Sequence, residues 1–144
     1  MIGDYICRFV TVKLHPSPVS TEHAYFGIIG RCDAAGFFSY KLAQNDEKVI
    51  SRIVNFFPKY GRANLLRAMD WAANDIEHTI AETRKGHDIF ANLIRPRENV
   101  IRYGAPIVVA TDDPAAELEK QYEFFVAVPK TTSSDSSSRP SDRR

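Results

Sequence analysis

Ala24-Tyr-Phe-Gly-Ile-Ile-Gly-Arg-Cys32-Asp-Ala-Ala-Gly36-Phe-Phe-Ser-Tyr-Lys-Leu42 decides the fold class of this chain. Two runs rich in aromatic and β-branched residues flank a break at Asp33-Ala-Ala-Gly36, and Gly36 can take the positive φ that closes a hairpin loop. Gly27 and Gly30 lie inside the first run, not between a strand and a helix, so they do not build a phosphate-cradling loop. A glycine within a strand marks close approach of a neighbouring backbone instead. Toward the N-terminus, Tyr5 to Leu14 alternates, with Ile6, Val10, Val12 and Leu14 on one side and Arg8 as that side's exception. His15-Pro-Ser-Pro18 ends this run, because each proline removes a ladder donor and restricts the residue before it. Everything up to Leu42 reads as an antiparallel meander.

Beyond Leu42 the period changes. Asn45-Asp46 can cap a helix whose apolar positions are Val49, Ile50, Ile53, Val54 and Phe57, and Pro58 and Gly61 stop it. From about Arg62 to Arg84, Leu65, Met69, Ala72, Ile76 and Ile80 recur at spacings of three and four, which predicts a longer amphipathic helix ended by Gly86. His87 to Leu93 reads as a short helical turn. Pro96 and Pro106 bracket Asn99 to Tyr103, and Ile107 to Ala110 forms a short strand. Asp113-Pro114 is a helix start, since a proline at the first helical position gives up an N–H that would be unpaired anyway. Glu117 and Glu119 suit the positive end of that helix, and Leu118, Tyr122, Phe125 and Val126 form its apolar face. The expectation is one α+β domain over residues 1–129: an antiparallel sheet of four or five strands, packed on one side by two or three helices. Residues 130–144 are a serine-rich polar tail with nothing to bury and are expected to be disordered.

Composition narrows the function classes. The chain has 144 residues, is 44% hydrophobic and 26% charged, and carries a net charge of +1. The tail holds Lys130, Arg139, Arg143 and Arg144 against Asp135 and Asp142, so the body is near neutral and lacks a strongly basic nucleic-acid footprint. No apolar run approaches the roughly 20 residues of a membrane-spanning helix, and no secretory pattern follows Met1, so a cytoplasmic protein is expected. Cys7 and Cys32 fall in strand-like runs and read as buried free thiols.

Four segments carry a family resemblance: Glu22-His-Ala-Tyr-Phe-Gly-Ile-Ile-Gly30, Ala35-Gly-Phe-Phe38, Leu93-Ile-Arg-Pro-Arg-Glu98 and Thr111-Asp-Asp-Pro-Ala-Ala-Glu-Leu-Glu119. Their order and spacing resemble a bacterial family catalogued as domain of unknown function 3037, over roughly residues 4–128. Members have a phrase like Glu-Phe-x-Asn-x-Gly-Val before the second strand. Glu22 and Gly27 match it, while Tyr25-Phe26 stand where the asparagine region lies. Occurrence of the family beside HipA-like kinases in some genomes implies an accessory or regulatory role.

Catalytic and metal chemistry find little footing in the sequence. His15, His23, His78 and His87 are scattered, without the ligand spacings of a metal site, and no metal or cofactor is expected. No Gly-x-Ser-x-Gly occurs. His87-Asp88 is the most enzyme-like pair, since imidazole and carboxylate can share a proton, but adjacent side chains diverge and capping by Asp88 is the competing reading. Asp112 and Asp113 could pair as carboxylates, although Pro114 makes capping the stronger account. Arg95, Arg97 and Arg102 are the candidates for binding a partner or a phosphate, because arginine makes bidentate contacts and Pro96 stiffens the segment. The competing reading is an exposed loop whose arginines pair with Glu98 or the start of the last helix.

Three functions stay open at this point. The leading one is a non-catalytic protein-binding accessory module, partner of a HipA-like kinase or of a defence system. It is supported by the aromatic content (Tyr5, Phe26, Phe37, Phe38, Tyr40, Phe56, Phe57) and by the missing catalytic set. The second is a nucleic-acid-binding or nuclease-like protein using the arginine loop. The third is a phage-encoded inhibitor of a host defence complex.

Overall fold

In the computed structural model, the described residues are 4–17, 19, 21–88, 90 and 100–127. The tail expected over 130–144 lies outside them.

β1 (Tyr5–Leu14) is the centre of an antiparallel five-stranded sheet. On one flank it pairs with β2 (Ala24–Cys32), from Arg8 opposite Arg31 to Leu14 opposite Ala24, and β2 pairs in turn with β3 (Phe37–Leu42). The turn at Asp33–Ala35 is a single 3₁₀ turn closed by Gly36 at φ 65°, as its sequence requires. On the other flank, β4 (Ile101–Tyr103) lies against Val12–Leu14 and β5 (Ile107–Thr111) against Tyr5–Phe9. These two short strands share one side of β1 end to end, with a one-residue slip of register between them. Gly104 bridges the step. Its N–H donates to Thr11 O at 2.9 Å, and a Cβ there would stand 2.4 Å from Thr11 Oγ1, so a larger residue must displace Thr11.

Three helices complete the described fold. α1 (Glu47–Phe56) is capped by Asp46, which accepts from Val49 N; α2 spans Arg62–Arg84; α3 (Pro114–Tyr122) is capped by Asp113, which accepts from Ala116 N, and it continues into a π-helical turn at Glu123–Ala127. Both caps satisfy N–H groups that helix geometry leaves without a partner.

The helices are not all on one side. Adjacent residues of β3 point to opposite faces of the sheet. Tyr40 donates to Glu77 of α2 at 2.5 Å, and Lys41 donates to Glu119 of α3 at 2.6 Å. α2 and α3 therefore cover opposite faces, and the one-sided packing expected from the sequence gives way to a helix–sheet–helix sandwich. The same fact explains β1, where Cys7 and Phe9 are as fully buried as Val10 and Val12. A strand covered on both faces loses its simple alternation. Ile6, on the same side of the strand as Val10 and Val12, is 63% exposed where they are fully buried.

The strand glycines make room for side chains more than for backbone. A Cβ on Gly30 would lie 2.6 Å from the Phe9 ring and 3.2 Å from Leu118, and one on Gly27 would lie 2.2 Å from Leu42. α1 is tied to the C-terminal end of the described chain. Arg52 donates to Val126 O at 2.6 Å, and the Tyr122 hydroxyl donates to Asp46 Oδ2 at 2.9 Å, with burial pushing the Tyr122 phenol well above its ordinary pKa. Among the described residues, no helix is long and apolar enough to cross a membrane.

Candidate functional site

Arg95 and Arg97 lie outside the described residues. Arg102 sits in β4 opposite Lys13, half-buried and part of the sheet rather than of an exposed loop.

His87 and Asp88 turn to different partners. Gly86, at φ 96°, ends α2, after which His87 N donates to Glu82 O at 2.8 Å and His87 Nδ1 lies 3.0 Å from Glu82 Oε1. Asp88 instead receives both terminal nitrogens of Arg31, at 2.8 and 3.0 Å, and accepts from Phe90 N at 3.1 Å. The two side chains do not share a proton. Arg31 also donates from Nε to Asp33 at 2.7 Å, and its guanidinium lies 5.3 Å from the Phe38 ring and 5.4 Å from the Phe90 ring. Those rings meet edge to face at 5.5 Å. The Arg31 guanidinium, followed by the Phe90 N–H, holds the Asp88 carboxyl below the usual carboxylate range. With its charge matched by two carboxylates, Arg31 is a clasp joining the segment that follows α2 to β2, not a vacant anion site.

The thiols offer no nucleophile either. Cys7 and Cys32 are free and buried, and burial pushes the Cys7 thiol up to about 12, so it stays protonated and inert at neutral pH. Among the described residues, no group of three or more His, Cys, Asp or Glu side chains gathers to hold a metal ion.

An open, largely apolar concave surface lies at the α1–α2 junction. Two adjoining grooves of about 590 and 500 Å³ share Tyr60. The first runs along α2 past Asn64, Arg67, Trp71 and Asn74 to Val100, and the second is walled by Pro16, Phe56, Phe57 and Pro58. Phe56 is 55% exposed and Trp71 42%. The local sequence explains this display. Val49, Ile50 and Ile53 take the core face of α1, and the helix ends at Phe56, so that Pro58 and Gly61 (φ 85°) swing the chain away before the stripe can bury it. Phe56 and Phe57 stack edge to face at 4.7 Å. Polar bonds hold the groove wall in shape: Asn64 donates to Tyr60 O at 2.7 Å, Arg67 to Asn64 Oδ1 at 2.5 Å, and Gln44 to Asp70 at 2.8 Å.

This surface is only partly the one the aromatic content suggested. Phe26 is fully buried, and Phe37, Phe38 and Tyr40 are half-buried against the core, while Phe56 is open. Trp71 was missed. Its signal was available, as a tryptophan one position off the stripe of Met69, Ala72 and Ile76, hence on the polar side of an amphipathic helix.

Fold and groove define the class: a small α+β domain whose antiparallel sheet lies between helices, with an aromatic groove at one helix junction. The chain matches the family described as Protein of unknown function (DUF3037) over residues 9–126, and it belongs to that family. No curated protein and no solved structure matches it.

Proposed function

We propose that this chain is a non-catalytic protein-binding module that docks its partner in the two grooves that meet at the α1–α2 junction. The observation that carries the reading is the exposure of Phe56 and Trp71, each in one of two grooves that share Tyr60. Aromatic residues that are exposed and already held by neighbouring structure are the usual anchors of protein interfaces, because they bury large area at little entropic cost. The partner class is a HipA-like kinase or a component of a defence system; in the alternative reading the chain is itself a phage-encoded inhibitor that binds a host defence complex. The kinase in this reading rests on the family resemblance.

The test is calorimetric titration of a purified HipA-like kinase from the same host with the full chain and with Trp71→Ala and Phe56→Ala. Binding that weakens at least about tenfold in each variant, with the melting temperature held, is the expected result for anchor residues. Equal affinity in all three proteins refutes the groove. The rival nucleic-acid reading has its own assay: oligonucleotide binding that falls steeply with salt and is lost in Arg95→Ala/Arg97→Ala would displace the proposal.

A further inference from the structure

β5 pairs only with β1 among the described strands, so the outer edge of Ile107-Val-Val-Ala-Thr111 presents backbone N–H and C=O groups with no strand beside them. Such an edge is a template for another strand, and proteins ordinarily blunt it with lysine, internal proline, a bulge or a covering element. β5 is uncharged throughout and β-branched at four of its five positions. Pro106 and the register slip at Gly104 precede the strand and leave it unbroken. The opposite edge of the sheet is guarded. β3 carries Lys41, and its Tyr40 and Lys41 are tied to helices on both faces.

Side chains beside β5 point the same way. Ile6 pairs with Ala110 and Arg8 with Val108, so Ile6 and Val108 are diagonal neighbours on one face of the sheet. They are 63% and 64% exposed, where that face has lost its helical cover. This patch is separate from the α1–α2 groove.

We propose that β5 pairs with the β5 of a second copy of this chain, antiparallel about Val109, joining two sheets into one. A two-fold axis there sets Val108 beside Ala110 of the partner subunit, large against small, and Ile107 opposite Thr111 of the partner subunit. The same operation draws both copies' Ile6 and Val108 into one apolar stripe across the joint, so each patch is covered by its own counterpart. The Arg8 side chains fall at opposite ends of the joined rows, and no like charges meet. An uncharged strand offers no charge pattern with which to select a foreign one, whereas its shape complements itself. Five residues and two side chains per copy fall short of the roughly 1,200 Å² of a standard specific interface, so the pairing is weak and concentration-dependent.

Sedimentation equilibrium of the full chain, from micromolar to millimolar, tests this. The mass should climb toward the dimer with little salt dependence, and amide exchange at 107–111 should slow as concentration rises. Val108→Lys, a charge placed on an exposed edge position, should stay monomeric with its melting temperature unchanged, while Trp71→Ala should dimerise like the parent. A chain that stays monomeric over the whole range overturns the proposal, even if a foreign strand binds the edge. So does a dimer that persists in Val108→Lys without protection at 107–111.

Discussion

Removing the Arg31 clasp measures how firmly the segment after α2 is tied to the sheet. Arg31 is 10% exposed in its side chain, whereas Asp88 and Asp33 are 59% and 63% exposed. The carboxylates can therefore rehydrate when the arginine goes, and the full penalty of about 3–5 kcal/mol for breaking a buried pair does not apply. Nor is this an open surface pair worth about 0–1 kcal/mol, because the guanidinium is dry and bonded through both terminal nitrogens. A coupling energy of about 1–2 kcal/mol between Arg31 and Asp88 lies between these limits. Arg31→Ala also forfeits the two ring contacts, about 0.5–1 kcal/mol each, for a total of roughly 2–4 kcal/mol. Urea denaturation of the parent, Arg31→Ala, Asp88→Ala and the double variant isolates the pairwise part, since the cycle cancels the Phe90 N–H that Asp88 also serves. A coupling under about 0.3 kcal/mol would refute the reasoning and make the contact an ordinary surface pair. The pH dependence has a fixed sign. The Asp88 carboxyl is lowered in the folded state, so its contribution is present above the unfolded value near ~3.9 and is lost as pH falls through the folded one. The stability gap between the parent and Asp88→Asn should close on acidification below about pH 5 and stay flat between about pH 6 and 8.

Two further outcomes follow from packing and charge. Leu118→Ala should destabilise the domain by about 2–5 kcal/mol in denaturant titration, because Leu118 is 5% exposed and packs over Gly30 beside Phe9; a loss under about 0.5 kcal/mol would mean that α3 does not cover the sheet. Glu47 is held down to about 2 by the bidentate Arg62 contact and the Ser51 hydroxyl, so what it adds is present above its ordinary pKa and lost as pH falls toward 2. Thermal melts of Glu47→Gln should differ from the parent at neutral pH, converge with it in acid and converge again in high salt; a gap that widens in acid would contradict the assignment.

Much of the fold was legible in the chain. The limits of β1, β2, β3 and α2, the caps at Asp46 and Asp113, the positive φ at Gly36 and the buried stripe from Leu65 to Ile80 all follow from residues within a few positions of one another. Hydrogen-bonding caps, turn conformations and periodicity are local, and local chemistry is what a linear sequence records. The grooves at the α1–α2 junction were half legible: Phe56 is one of many aromatics in the chain, and aromatic content alone does not separate it from Phe26, which is buried.

Only the tertiary structure decided the rest. Periodicity tells which side of an element is apolar, not which element will cover it, so the division of α2 and α3 between the two faces was hidden, and with it the double burial of β1. The sharing of one flank of β1 by β4 and β5 depends on where a chain returns after a long excursion. Arg31 and Asp88 are separated by 57 residues, and no local pattern marks such a pair before folding brings it together. For Phe56 and Trp71, the end of α1 and the helical stripe set which way each side chain faces, but how much of each stays open was settled by how the helices pack, and that is a property of the assembled surface.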